Sequence, residues 1–310
     1  MQINFMKFYS NAKLLITGEY LVLNGAKALA LPLSCGQSLN SKKTNDNIIK
    51  WNSFDLKNNI WFNALIDKDN LKIIESSDSN IAKRLTEILK SIRNHNNEFL
   101  NKNGCEIETK LNFDKDWGLG TSSTLISNLS KFANVDPYII LNETFGGSGY
   151  DIACSNIKDP ILFSLDNGKR VIQKVEFDPP FKNNLYFVYL NKKQNSSKEI
   201  LRYSNIKISS SDIDKVTSIS KQIIVTKSQQ EFNVLLNYHE EILSSLLKRD
   251  TIRTELFSDF EGSIKSLGAW GGDFILTSSK SNPSDYFISK GFSKVINYSD
   301  MVNNKSFDYL

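Results

Sequence analysis

The order of apolar and polar positions divides the chain into strand-like and helix-like stretches. Residues 12–17 (AKLLIT) and 20–23 (YLVL) are apolar runs separated by Gly18-Glu19 and closed by Asn24-Gly25, a tight-turn dipeptide, and they predict an opening β-hairpin. Residues 40–59 are rich in Asn and Lys, with Trp51 and Phe54 at irregular spacing, and predict irregular strands with a long loop. Ile81, Ala82, Leu85, Ile88, Leu89 and Ile92 recur with the helical period, with Ser79 or Asn80 placed to cap that helix. A second helix carries Leu125, Ile126, Leu129, Phe132 and Ala133, and it opens directly after Gly118–Ser123, whose hydroxyls suit an N-cap. Asp136-Pro137 predicts a short helix to about Phe145. Strands are predicted over 160–165, 171–177 and 185–190, the last (LYFVYL) apolar enough for burial on both faces. Glu231–Leu247 reads as a long amphipathic helix; a Gly-rich turn at 268–272 precedes a strand at Asp273–Thr277, and a last β segment surrounds Val295. Asp178-Pro179-Pro180 interrupts the pattern and places a soft boundary near 170–180.

Composition narrows the class. With 310 residues, 40% hydrophobic and 23% charged, the chain suits one large or two moderate globular domains rather than a disordered, collagenous or small disulfide-stapled protein. Its 38 Lys and Arg are spread along the chain and nearly balanced by 34 Asp and Glu, so the net charge of +4 fits a small anionic ligand and predicts no nucleic-acid partner. Cys35, Cys105 and Cys154 form no CxxC pair, which argues against a disulfide framework or zinc site and for a reducing cytoplasm. The N-terminal stretch lacks an apolar leader, and the longest apolar run, Ala28–Cys35, is too short to cross a bilayer, so no membrane association is expected. The sequons at Asn142 and Asn195 carry no meaning without secretion. Only two His occur, His95 in a polar run and His239 on a helix, so no His-based triad or metal site is expected.

Against this background eight of the 15 Gly collect in three places. Gly118-Leu119-Gly120-Thr121-Ser122-Ser123 feeds a helix start, where small residues, free N–H groups and the helix dipole favour a phosphate and hydroxyls can reach Mg²⁺. It is neither a Walker A loop nor GxGxxG; its plain alternative is a capped turn. Ser148-Gly149-Tyr150-Asp151 follows Gly146-Gly147, where Asp151 either makes an Asx turn or accepts a hydroxyl proton. The third cluster is Gly268-Ala269-Trp270-Gly271-Gly272. Lys13 and Glu19 have the plain readings of a surface lysine and a turn residue.

The order of these motifs is more specific than any one of them. Ser10 to Leu23 (SNAKLLITGEYLVL), followed by Gly25 and Ala28 to Pro32, resembles motif 1 of the GHMP kinases. GLGTSS at Gly118–Ser123 resembles their phosphate-binding motif 2, GAWGGD at Gly268–Asp273 resembles motif 3, and SGYD at Ser148–Asp151 resembles the segment that supplies the catalytic Asp. The resemblance spans nearly the whole chain. It implies an α+β, two-domain GHMP kinase fold, with a ribosomal S5 domain 2-like ATP-binding domain over 1–175 and a ferredoxin-like C-terminal domain over 176–310. It further implies transfer of the γ-phosphoryl group of ATP to an anionic alcohol, with Mg²⁺, in a monomer or homodimer. Carried over by position, Asp151 orients or deprotonates the acceptor hydroxyl and Lys13 stabilises the developing charge. Gly118, Leu119, Gly120, Thr121, Ser122, Ser123, Gly268, Gly271 and Gly272 hold the nucleotide, while Ser122 and Glu143 are the candidate Mg²⁺ ligands, Glu143 standing closer to Asp151 than the family spacing. Within the superfamily the chain looks most like mevalonate and phosphomevalonate kinases: length favours the former, Tyr20 and SGYD the latter. The Asn195–Glu199 turn resembles another of their helix starts, expected to face an anionic substrate. A diphosphomevalonate decarboxylase and a catalytically silent binding protein are the alternatives. Two departures from the family pattern are Asp116-Trp117 and Trp270, where a large ring replaces a small residue.

Overall fold

The computed structural model describes residues 5–194 and 196–302, with the side chains of 196–198 left aside. Asn195 and most of the turn expected to face an anionic substrate therefore lie outside the described residues. The chain forms two compact units of mixed helix and sheet: Met1–Ala12, Cys35–Lys115 and Gly120–Asn156 make one, and Lys13–Ser34, Asp116–Leu119 and Ile157–Leu310 the other. This is the α+β composition expected from the sequence. Among the described residues no helix is long and apolar enough to cross a membrane.

The first unit takes in most of β1 (Phe5–Leu15), the C-terminal part of β2 (Ala28–Thr44), β3 (Ile48–Phe54), β4 (Ile60–Asp67), β5 (Ile73–Ser76), α1 (Ser79–His95), β6 (Gly104–Leu111), α2 (Thr121–Ala133), α3 (Pro137–Thr144) and α4 (Tyr150–Asn156). Its sheet runs β5-β4-β3-β6-β2, parallel at β3–β6 and antiparallel elsewhere. The stretch read as irregular strands with a long loop is thus ordered sheet. Ile49, Trp51 and Ser53 face the core from β3, as do Phe62, Ala64 and Ile66 from β4, while Lys50 and Asn63 face outward; the many polar residues are the solvent side of a period-2 pattern. The buried Trp51 indole donates to Ser53 Oγ (3.0 Å), which also accepts from Thr109 (2.9 Å). Helix α1 covers this core with Leu85, Ile88, Leu89 and Ile92, as its periodicity requires. Its cap, however, is Asp78, whose carboxylate accepts from the Asn80 and Ile81 amides, rather than Ser79 or Asn80.

The second unit contains the N-terminal part of β2, β7 (Ile161–Asp166), β8 (Lys169–Lys174), β9 (Leu185–Tyr189), α5 (Ser196–Tyr203), α6 (Ser210–Val225), α7 (Gln229–Leu247), α8 (Ile252–Leu256), β10 (Ser263–Ser266), β11 (Phe274–Ser278), α9 (Ser284–Ser289), β12 (Val295–Asn297) and α10 (Tyr298–Val302). One antiparallel sheet has the order β10-β11-β9-β12, so the apolar LYFVYL stretch is an inner strand with Leu185 to Val188 buried. Leu21–Asn24, expected as the second arm of a hairpin, is instead a turn of 3₁₀ helix ended by Gly25 at φ 96°, and the strand begins only at Ala28. Four apolar residues are too few to show a period, and burial of Leu21 and Val22 suits either conformation.

Candidate functional site

The loop Gly118–Ser123 passes from one unit to the other between Leu119 and Gly120, so its two halves are described in turn. In the first unit α2 begins at Thr121 after Gly120, which takes the left-handed conformation at φ 96° and gives no side-chain cap. The expected hydroxyl cap is therefore absent. The reason lies in position: Gly120 holds the N-cap place, so the hydroxyl residues fall inside the first turn, where Ser123 Oγ donates to Asp151 Oδ2, and just beyond it Thr124 Oγ1 donates to Gln37 Oε1 (2.9 Å). The amides of the first turn have no intrahelical acceptor and keep the positive end of a 13-residue helix open. The helix body is held rigidly below, where Ser10 donates to Asn128 Oδ1 (2.8 Å) and Asn128 Nδ2 to the Gln37 carbonyl (2.8 Å).

Asp151 stands in the first turn of α4 rather than in an Asx turn. The Ser127 and Ser155 hydroxyls share a hydrogen bond that joins α4 to α2, and the Ile152 amide donates to Asp151 Oδ1 at 3.0 Å. The carboxylate is half-buried beside the open start of α2, a position from which it can orient or accept a proton from a hydroxyl. Ser122 is exposed at the same helix start. Glu143 turns elsewhere: Oε2 accepts from Ser91 (2.6 Å) and Oε1 lies 2.8 Å from His95 Nε2, both on α1, and these partners hold its carboxyl below the ordinary range.

In the second unit Lys13 lies on β1, where its amide donates to Leu119 O (3.1 Å) and its Nζ to Gly118 O (3.3 Å). Gly118 has φ 66°, and a Cβ there would stand 2.3 Å from Asp273 Cγ, so glycine is required by both conformation and space. Asp273 itself sits at φ 54° with its amide donating to Lys192 O (2.6 Å) and its Oδ1 accepting from the Gln194 amide (3.1 Å). Burial raises its carboxyl above the ordinary range, against the pull of that amide and of Lys13 and Lys193. Of the third cluster, Gly268 (φ 67°) faces open space, whereas a side chain at Gly271 (φ 88°) would strike Arg249 and one at Gly272 would strike Gln194. The Trp270 ring is buried in its own unit; Trp117 packs edge-on against Phe274 at 5.5 Å.

Within the first unit, the uncapped amides at the start of α2 offer the kind of helix end that holds an anion. Among the described residues no cluster of three or more His, Cys, Asp or Glu could hold a metal by itself.

Sequence reasoning missed a second set of charged residues. Lys265, fully buried on β10, donates to Glu19 Oε1 (2.7 Å) and to the Ser266 carbonyl (2.6 Å), and lies 3.2 Å from Glu240 Oε1 as an ion pair without hydrogen-bond alignment. Glu240 Oε2 accepts from Ser266 Oγ (3.0 Å). His239 Nε2 accepts from the Gly18 amide (2.9 Å) and is 3.5 Å from Glu19 Oε2. Burial drives the two carboxyls and the imidazole towards their neutral forms: the Glu19 carboxyl is pushed up to about 7, Glu240 is raised, and His239 is held well below the ordinary histidine range, also by the Lys265 charge. The one local signal was a lysine in the strand leading into Gly268.

The chain has the fold of mevalonate and phosphomevalonate kinases, as the order of its motifs implied. The Methanococcus jannaschii mevalonate kinase superposes with a TM-score of 0.71 at 18% identity, over 95% of this chain and 98% of that one. The L. major mevalonate kinase, solved in complex with R-mevalonate, gives 0.65 at 17% identity over 92% and 90%. The Streptococcus pneumoniae phosphomevalonate kinase, in complex with phosphomevalonate and AMPPNP, gives 0.67 at 15% over 93% and 97%. No protein-family model and no curated protein sequence matches the chain.

Proposed function

We propose that the protein is an ATP- and Mg²⁺-dependent small-molecule kinase of the cytoplasm that phosphorylates an anionic alcohol, mevalonate first and 5-phosphomevalonate as the alternative acceptor. The observation that carries this reading is the uncapped start of α2 with the Asp151 carboxylate tied to its Ser123 hydroxyl. Phosphoryl transfer asks a protein mainly for alignment and charge stabilisation, and the residues divide along those lines. The amides of Gly120 to Ser123 bind phosphate oxygens, with Gly118, Leu119 and the Gly268, Gly271 and Gly272 turn as further backbone contacts. Mg²⁺ supplies charge neutralisation on those oxygens, with Ser122 as the protein contact. Glu143 is left out of this set because both its carboxylate oxygens are committed to α1. Asp151 orients the acceptor hydroxyl and takes up its proton at Oδ1 or Oδ2, and Lys13 Nζ stabilises the charge that develops on transfer. In this reading residues 1–175 bind the nucleotide and 176–310 form the C-terminal domain.

The solved neighbours that hold R-mevalonate, or phosphomevalonate with AMPPNP, support both acceptors alike. The test is ADP release from the purified chain with ATP, Mg²⁺ and either compound. Turnover with one of them identifies the acceptor; no turnover with either sinks the isoprenoid reading, and ATP-dependent CO₂ release from the diphosphorylated compound would replace kinase by decarboxylase.

A further inference from the structure

Three consecutive residues of the second unit are gripped one by one. Gly18 is held through its amide by His239, Glu19 through its carboxylate by Lys265, and Tyr20 through its hydroxyl, which accepts from the Trp270 amide at 3.0 Å. The Tyr20 ring also stacks on Tyr203 at 5.2 Å. The backbone they hold is strained. Tyr20 has φ 62° and ψ −51°, and the Leu21 amide donates to Glu19 O at 2.7 Å, which makes this a three-residue γ-turn of the positive-φ hand, a conformation bulky residues avoid. Such a turn persists only where its surroundings over-determine it.

The groups doing so are costly ones. Glu19, His239, Glu240 and Lys265 are all buried, and Glu19 Oε2 and His239 Nδ1 have no hydrogen-bond partner. Apolar side chains of similar volume would serve packing at least as well. What they would not provide is a link between sequence-distant turns: Lys265 stands three residues before Gly268, and Trp270 lies within the Gly268–Gly272 turn itself. We propose that His239 and Lys265 are positioning residues which lock the strained turn at Tyr20 to the Gly268–Gly272 turn, so that the two move as one body. The functional sense of this coupling rests on the reading of the Gly268 turn as a phosphate-site loop; the coupling itself does not.

Hydrogen–deuterium exchange on the full chain tests it, read separately over 18–22 and 268–272. In His239→Leu, exchange rises about tenfold in both segments, the equivalent of one ordinary hydrogen bond, while β9 and β11 stay protected. In His239→Gln, whose amide oxygen can accept from Gly18, both segments return towards the wild-type rate. Tyr20→Phe, which keeps the ring and removes the acceptor, frees 268–272 by a similar factor and leaves Gly18 protected; this variant carries the test if His239→Leu does not fold. Exchange that rises in 18–22 alone in His239→Leu, a Gln variant no better than Leu, or an unchanged 268–272 in Tyr20→Phe each overturns the coupling. With an active enzyme, Tyr20→Phe raises the KM for ATP more than it lowers kcat. If the wild type turns over no acceptor, the kinase reading fails and the exchange data still decide the coupling.

Discussion

Asp151 and Glu19 are both carboxylates in motif-bearing turns, yet they are placed in opposite ways. Asp151 is half-buried, bound by one hydroxyl and one amide, and next to an open helix start. Glu19 is sealed with Lys265, Glu240 and His239 inside the second unit. A carboxylate that is to exchange protons with a bound molecule has to keep solvent-side access and weak partners. One that is to fix backbone geometry gains from burial, because the low dielectric strengthens every contact it keeps. On the readings proposed above, the same residue class serves chemistry in one place and shape in the other.

This contrast can be broken from either side. The largest expected effect is on catalysis: Asp151→Asn keeps the size of the side chain but retains only one acceptor oxygen and cannot take a proton, and kcat should fall by about 10²- to 10⁴-fold with little change in nucleotide affinity. Steady-state ADP release beside calorimetric nucleotide binding measures both, and near-normal turnover would take Asp151 out of the mechanism. The next effect is on stability. Lys265→Met leaves two buried carboxylates without their cation and should cost about 3–5 kcal/mol in denaturant unfolding, with part recovered when Glu19 or Glu240 is also changed to Gln. A loss no larger than that of an ordinary surface substitution would mean the cluster is not sealed.

The smallest effect is a pH dependence of fixed sign. Glu19 is raised from 4.5 to about 7 in the folded chain, so the folded state holds a proton that the unfolded chain releases. Its stabilising contribution is complete below the unfolded value and is lost as pH rises through about 7; Glu240 shifts in the same direction, and Lys265 and His239 are the other charged or titratable groups facing it. The melting temperature should therefore fall as pH rises between about 5 and 8, and fall less in Glu19→Gln. Equal slopes in the two proteins would place the titration elsewhere.

How much of this the chain announces in advance depends on the distance between partners. The Gly118–Ser123 loop, the α1 and α7 periodicities and the Asp136 cap are local patterns, and each stands close to where its residues put it. Residues 40–59 misled because the outer face of β3 and β4 supplies the polar residues that a loop also has. Leu21–Asn24 misled because a short apolar run fits a strand and a buried 3₁₀ turn equally. Lys265 and His239 were out of reach altogether: their partners Glu19 and Gly18 lie 246 and 221 residues away, and a lone His on an amphipathic helix gives no sign of which backbone amide it will meet. For the site, residue types and order were legible; the commitment of Glu143 to Ser91 and His95 was not, since that depends on how α3 packs on α1.

The contact between Gly118 and Asp273 also limits the order in which this sequence can change. The Asp273 carboxyl already fills the volume into which any side chain at position 118 would grow, and Gly118 sits at a φ that tolerates few residues besides Asn. A lineage that exchanges Gly118 for Asn must therefore first shorten residue 273, giving up the Gln194 contact before gaining anything at 118. The two positions, separated by most of the second unit's sequence, are thus coupled, and a change at 118 waits on one at 273.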